Sequence, residues 1–248
     1  MRLNRFLSVS GFSSRRKGET IIRSGRVRIN GEVVDDPARD VDPVLDRVTV
    51  DDRELTVHEK KRWYVMNKPA GVIVSRGDTH GRATVYDLLD SATTGVFSVG
   101  RLDFNTSGVL LFTDDGDAAH RLMHPSFRVD KVYRAEVRGR VSGIDCETFR
   151  RGIVLDDGPT APAEMRILSG GSNSSIVEIV IHEGRKRQVR RMLDSIGHPV
   201  MTLERVSFGG VTAAGLSPGG VRALDPGEVA RLNAVISHET PGHRNEKE

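Results

Sequence analysis

One fifteen-residue stretch, VGRLDFNTSGVLLFT at 99–113, restricts the fold more than any other. Its second half, GVLLF, is a continuous apolar run of the kind a fully buried strand shows. Between it and the preceding apolar residues lie Asp103, Asn105, Thr106, Ser107 and Gly108, the residue types that suit tight turns. The stretch therefore reads as strand, turn, strand, with a carboxylate at the turn. Asp103 has two readings. It can form an Asx-turn, bonding backbone amides two residues on. Alternatively, a cationic partner holds it ionised in a partly buried site. Arg185, at a strand end in HEGRKRQVRR, is a candidate partner. The residue types alone leave both readings open. Arg101, two residues from Asp103, would share its face on a strand.

The chain has 248 residues, of which 37% are hydrophobic, enough for a sizeable core. Its net charge is only +3, but the charges are segregated. Residues 1–30 carry eight arginines and lysines against one acid, and 31–60 are strongly acidic. A second basic block, EGRKRQVRR at 183–191, includes Lys186, Arg187 and Arg190. Two one-sided blocks are the footprint of a polyanion site, since phosphate neutralisation dominates nucleic-acid affinity. The single cysteine, Cys146, excludes a disulfide framework and a cysteine-rich zinc site. No apolar run is long enough to span a membrane, and no leader-like apolar segment follows the basic N-terminus, so a cytoplasmic protein is expected. RGD at 76–78 is then a chance match.

A first domain is expected over 1–58. Leu3, Phe6 and Leu7 share a helical face, with Gly11 as the stop. A second helix begins at Ser13 or Ser14 and ends at Gly25. Val27 and Ile29 then alternate with Arg26 and Arg28, and Asn30-Gly31 signals a two-residue hairpin. DRVTVDD supplies one more strand. Arg15, Arg16 and Lys17 fall in the second helix's first turn, where the helix dipole disfavours cations; bound phosphate would account for them.

A linker at 59–62 leads to a second domain at 63–235, and 236–248 is expected to be a disordered tail. RWYVMNKPAGVIVS gives a strand, a turn and a new strand start. TVYDLL is a short helix, and DDGDAAHRLMHP a helix capped by Asp114 or Asp115. DKVYRAEVRGRV, SIVEIVIHEG and VMTLERVSFGGV read as strands. DCETFRRGI and RQVRRMLDSIG read as helices, the latter with Val189, Met192, Leu193 and Ile196 at core spacing. The irregular mixture indicates an α+β class with a mixed, mostly antiparallel sheet flanked by helices. His120 and His124 share a helical face, but nothing completes a metal set. G-x-S-x-G, the Walker lysine loop and the Rossmann glycines are all missing.

GFSSRRKGETIIRSGRVRING resembles the S4-like RNA-binding domain. NKPAG, VGRLDFNTSGVLLFTDDG, DKVYRAEV and HEGRKRQVRRM together resemble the bacterial ribosomal RNA pseudouridine synthases of the RsuA/RluB family, over residues 1 to about 235. The resemblance implies a small S4-like α/β RNA-binding domain ahead of a catalytic domain that isomerises uridine, with no cofactor and no metal. It maps the catalytic aspartate onto Asp103, the ion-pair arginine onto Arg185 and the uracil-stacking aromatic onto Tyr133. Tyr133 would otherwise be read as core, since it shares a strand face with Ala135 and Val137. Arg101 is implied to fill the gap left by a flipped base. Arg15, Arg16, Lys17, Arg26, Arg28, Lys68, Lys186, Arg187 and Arg190 are expected to line the RNA path. LMHPS and LDDGPTAPAEMRIL look more like the large-subunit branch, implying a 23S stem-loop uridine near the peptidyl transferase centre, with a 16S uridine or a non-catalytic assembly factor as alternatives. The partner is ribosomal RNA, and a monomer is expected.

Overall fold

The computed structural model describes residues 1–57 and 61–237. Two units emerge: Met1–Arg62 with Asp90–Phe97 and Thr113–Gly116, and Trp63–Leu89 with Ser98–Phe112 and the chain from Asp117 on. Residues 58–60 and 238–248, which hold half of the expected linker and most of the expected tail, lie outside the described residues.

In the first unit, α1 (Leu3–Val9) buries Leu3, Phe6 and Leu7 as its periodicity requires. α2 (Arg15–Arg23) starts at Ser14, whose hydroxyl accepts from the Lys17 N–H at 3.3 Å. β1 (Val27–Ile29), β2 (Glu32–Val33), β3 (Val48–Val50) and β4 (Arg53–Leu55) form an antiparallel sheet in the order β2-β1-β3-β4. Asn30-Gly31 closes β1–β2 with both residues at positive φ, as this turn demands. Asp51-Asp52 does the same for β3–β4, a hairpin where the sequence suggests one strand. The two helices and the sheet enclose Leu3, Phe6, Leu7, Ile21, Ile22, Val27, Val41, Val48 and Val50. Each large side chain so buried contributes about 1.5–3 kcal/mol.

The second unit is built on one twisted sheet. In chain order, β5 (Trp63–Lys68), β6 (Phe97–Ser98), β7 (Ser107–Thr113), α3 (Gly116–Met123), β8 (Lys131–Arg138) and α4 (Gly143–Arg151) come first. The hairpin of β9 (Val154–Leu155) and β10 (Gly158–Pro159) follows, then β11 (Glu164–Gly170), β12 (Ser174–Ile181), α5 (Gln188–Ser195), β13 (Val200–Phe208), β14 (Val221–Ala223) and α6 (Pro226–Ser237). The main path of the sheet is β11-β12-β8-β13-β7-β5-β14. β11, β12, β8 and β13 pair antiparallel, whereas β13 and β7 run parallel.

Several sequence expectations change here. TVYDLL is a single 3-10 turn, Val85–Leu88. The strand start after NKPAG reduces to one bridge, Ile73 with Thr84. Asp114 does not cap α3; its carboxylate binds the Arg62 backbone N–H at 3.0 Å and guanidinium at 2.8 Å. Ile196, read as core, is only half-buried. α6 continues through Ser237 with Ile236 buried, so 236 and 237 belong to a helix and not to a tail.

Candidate active site

β7 enters the sheet under a tight constraint. Gly108, at φ +99°, lies against the Arg205 backbone; a Cβ there would sit 2.2 Å from the Arg205 carbonyl oxygen. Only glycine permits this approach. β7 is thereby fixed against β13, with Gly108 paired to Arg205, and the turn before it is fixed too.

The turn at 103–106 is held through its carbonyls. The Asp103 carbonyl accepts from the Thr106 N–H at 3.0 Å, and the Phe104 carbonyl from the Gly71 N–H at 2.8 Å. The Asn105 carbonyl accepts from Arg190 Nη2 at 2.8 Å, and the Thr106 carbonyl from Lys68 Nζ at 2.8 Å. Four consecutive carbonyls thus take four donors, three of them from outside the turn. The Asp103 carboxylate makes no hydrogen bond of its own among the described residues. The Asx-turn reading therefore fails: the turn is stabilised without the side chain, which remains half-buried on the wall of a cleft of about 870 Å³.

The cations coupled to Asp103 do not include the partner expected. Arg185 lines the cleft, but its guanidinium is bound to the β9–β10 hairpin: it pairs with Asp157 and donates to the carbonyls of Pro159 at 2.8 Å and Gly158 at 3.0 Å. It anchors that hairpin together with Arg191, which reaches Asp157 at 3.0 Å; the two arginines hold the Asp157 carboxyl down at about 2. The Asp103–Arg185 pair is not formed. Lys68 and Arg190 carry the positive charge that acts on Asp103. Both are buried, at 0% and 7% exposure, so neither lines an RNA path as expected. Burial pushes the Lys68 ammonium down to about 8, opposed by attraction to Asp103. Burial likewise lowers Arg190, helped by Arg187 and opposed by Asp103.

Tyr133 lies on β8 with only 9% exposure and lines the cleft. It shares its strand face with Ala135 and Val137, yet it also faces the cavity. Arg101, Lys186 and Arg187 are exposed and line the same cleft. Residues 101–103 are not in a strand, so the shared face of Arg101 and Asp103 arises from the loop, not from strand alternation. Two buried cations on the cleft wall escaped the sequence reading, Lys131 and Arg205. The Asp78 carboxyl is held at about 2 by Arg82 and by backbone N–H groups of Arg82 and His80, so the RGD aspartate is occupied within its own loop.

In the first unit, Arg15, Arg16 and Lys17 are exposed on α2, with no side-chain partner among the described residues. Arg26 is spent on an ion pair with Asp51, and Arg28 donates to the Gly31 carbonyl at 3.2 Å. Among the described residues no cluster of three or more metal-type ligands occurs, and no helix is long and apolar enough to cross a membrane.

Comparison with known proteins converges on one family. Residues 62–195 match the family described as RNA pseudouridylate synthase, and residues 1–44 match the S4 domain. An uncharacterized RNA pseudouridine synthase of Aquifex aeolicus is 41% identical, covering 95% of each chain. Ribosomal large subunit pseudouridine synthase B of Bacillus subtilis is 39% identical, covering 96% of this chain and 97% of the relative. A crystal structure titled pseudouridylate synthase superposes with a TM-score of 0.67 at 32% identity, covering 94% of this chain and 99% of the other.

Proposed function

This chain belongs to the RNA pseudouridylate synthase family, and we propose that its substrate is a stem-loop uridine of 23S ribosomal RNA near the peptidyl transferase centre. The rRNA class is supported by relatives named as large-subunit enzymes, such as that of Bacillus subtilis. The S4 domain at the N-terminus supports an RNA anchor separate from the chemistry. We place the domain boundary at the end of the first four-stranded sheet, close to residue 58, with a monomer as the working form in the cytoplasm.

Asp103 is the residue on which the chemistry turns. The observation that carries this is the clamped turn: every carbonyl is taken, and the carboxylate alone is left to face the cleft. The uridine's N1–C1′ bond breaks, the uracil rotates, and C5 bonds to C1′. The C5 proton leaves and N1 takes up a proton, so atoms and charge balance with no cofactor. The turn holds the Asp103 carboxylate at a fixed point on the cleft wall, where an extruded nucleotide would meet it. Lys68 and Arg190, pinned to the carbonyls of the turn, keep it oriented and attract the carboxylate. Tyr133 offers the extruded base a ring to stack on. Arg101, at the mouth, occupies the space the base vacates; extrusion costs a few kcal/mol. Lys186 and Arg187 meet phosphates at the cleft, and Arg15, Arg16, Lys17 and Arg28 meet them on the first unit.

The test is a pseudouridine map of both ribosomal RNAs in a host lacking this gene, complemented with wild type or Asp103→Asn. One 23S position should regain pseudouridine with wild type alone. Restoration in 16S would overturn the large-subunit assignment, and restoration by Asp103→Asn would overturn the role of the carboxylate.

A further inference from the structure

Two cross-strand pairs sit side by side on the cleft-facing side of β8 and β13. Tyr133 is opposite Arg205, and Lys131 is opposite Phe208. All four side chains are buried and all four line the cleft. The Arg205 guanidinium lies over the Phe208 ring at 4.8 Å, and the Lys131 ammonium approaches the same ring at 5.3 Å. Two like charges therefore share one aromatic. Lys131 is satisfied by carbonyls, donating to His182 at 2.8 Å and Val129 at 3.4 Å. Arg205 is not. Its Nε donates to the Val109 carbonyl of β7 at 2.8 Å, but its Nη2 is buried with no hydrogen-bond partner among the described residues, and no carboxylate pairs with it there. Arg205 is only 3% exposed.

A buried arginine with an orphan donor and no counter-ion is costly. It is not packing filler, since a methionine of similar length would avoid that cost. Its position is also fixed unusually well: the backbone is locked against Gly108, Nε against β7, and the guanidinium plane against Phe208. That is the preorganisation expected of a donor aimed at charge that develops during a reaction.

We infer that the Arg205 guanidinium, which lines the cleft, donates to a carbonyl oxygen of the uracil stacked on Tyr133. This rests on the reading of the cleft as the uridine site. When the N1–C1′ bond opens, its electron pair stays on the uracil and spreads onto O2 and O4. When C5 then bonds to C1′ and loses its proton, N1 takes up a proton and the charge disappears. A donor at either oxygen is strengthened only while the charge exists, so it accelerates the step rather than merely holding the base. The adjacent Lys131 adds to the same field.

The test uses the full-length protein in single-turnover reactions on a stem-loop RNA carrying uridine, 2-thiouridine or 4-thiouridine at the mapped position. Sulfur is the poorer acceptor, so wild type should slow on one of the two thio substrates, and which one identifies the oxygen. Arg205→Met should react about 100-fold more slowly on the oxygen substrate, bind RNA as wild type does, and lose the oxygen-over-sulfur preference. A variant with merely loosened structure would slow equally on every substrate and keep the preference, and that result overturns the inference. If Arg205→Met does not fold, Arg205→Lys serves: its preference should shrink, and an unchanged preference overturns the inference. Wild type that is active yet indifferent to both sulfurs also refutes it, leaving the uridine-site reading intact. Wild type inactive on uridine itself refutes that reading and the inference with it.

Discussion

The two units use positive charge in opposite ways. On the first, Arg15, Arg16 and Lys17 stand exposed on α2 with no side-chain partner among the described residues. In the second, Lys68, Lys131, Arg190 and Arg205 are 0%, 5%, 7% and 3% exposed, and each of them donates to a backbone carbonyl. The exposed set can neutralise phosphates and release counterions. The buried set can reach no phosphate on an RNA backbone; it fixes a turn and furnishes a cleft wall. A cation's burial, not its presence, decides whether it contributes affinity or geometry. The contrast predicts that variants in the two sets separate into different observables.

The largest expected effect is at Asp103. Asp103→Asn keeps the shape and should abolish pseudouridine formation while leaving RNA affinity and melting temperature unchanged; a retained rate would break the account. Gly108→Ala comes next, because a Cβ 2.2 Å from the Arg205 carbonyl oxygen cannot be accommodated without parting β7 from β13. It should destabilise by more than about 3 kcal/mol, at the top of the range for a point change, read as a collapse of the urea midpoint.

Within the buried set, Lys68→Met orphans the Thr106 carbonyl and should cost about 1–3 kcal/mol, with a clear loss of rate at saturating RNA. Arg185→Ala should lose far less rate than Arg190→Ala, because Arg185 anchors a hairpin and Arg190 holds the turn. Equal losses would restore Arg185 to the catalytic centre. A pH experiment sharpens the same point. Lys68 and Lys131 titrate at about 8, against the ordinary 10.5, chiefly through burial. Between those values the unfolded chain binds more protons than the folded one, so their contribution makes stability rise as pH climbs from about 8 toward 10.5. Urea unfolding at intervals across that window checks it, and Lys68→Met should flatten the rise.

The smallest effect belongs to the exposed set. Replacing Arg15, Arg16 and Lys17 together by alanine should weaken RNA binding and reduce the salt slope by up to about 2 to 3, with the rate at saturating RNA unaltered. An unaltered slope would remove these residues from the RNA path.

Much of this was legible in the chain. The turn at 103–106 and the buried strand after it, the cap at Ser14 and the Asn30-Gly31 hairpin follow from local rules and are present, whereas the strand expected before the turn shrinks to Phe97–Ser98 and 99–103 is loop. What stayed hidden depends on distant neighbours. Lys68 ends a strand whose burial runs on both faces, so alternation says nothing of its fate. Arg190 lies on α5, buried on a broad arc from Gln188 to Leu193, where a basic block reads as surface. Arg185 was a reasonable partner for Asp103 by charge, but Asp157, 28 residues away in sequence, claims it. β11 is an edge strand with nearly every residue exposed and so shows no period. α6 did carry a signal in DPGE: Asp225 and Glu228 cap each other's backbone N–H groups, at 2.8 and 3.0 Å, the reciprocal box that opens many helices. The Gly-Pro content around it masked that signal.

The most direct test of the central claim measures, on one stem-loop RNA, both the dissociation constant and the single-turnover rate for Arg190→Met and for the Arg15/Arg16/Lys17 triple alanine variant. The account predicts a crossed result: Arg190→Met loses rate and keeps affinity, and the triple variant loses affinity and keeps rate. If Arg190→Met instead loses affinity at an unchanged rate, the buried cations are not what holds Asp103 in place, and the division of labour between the two units is wrong.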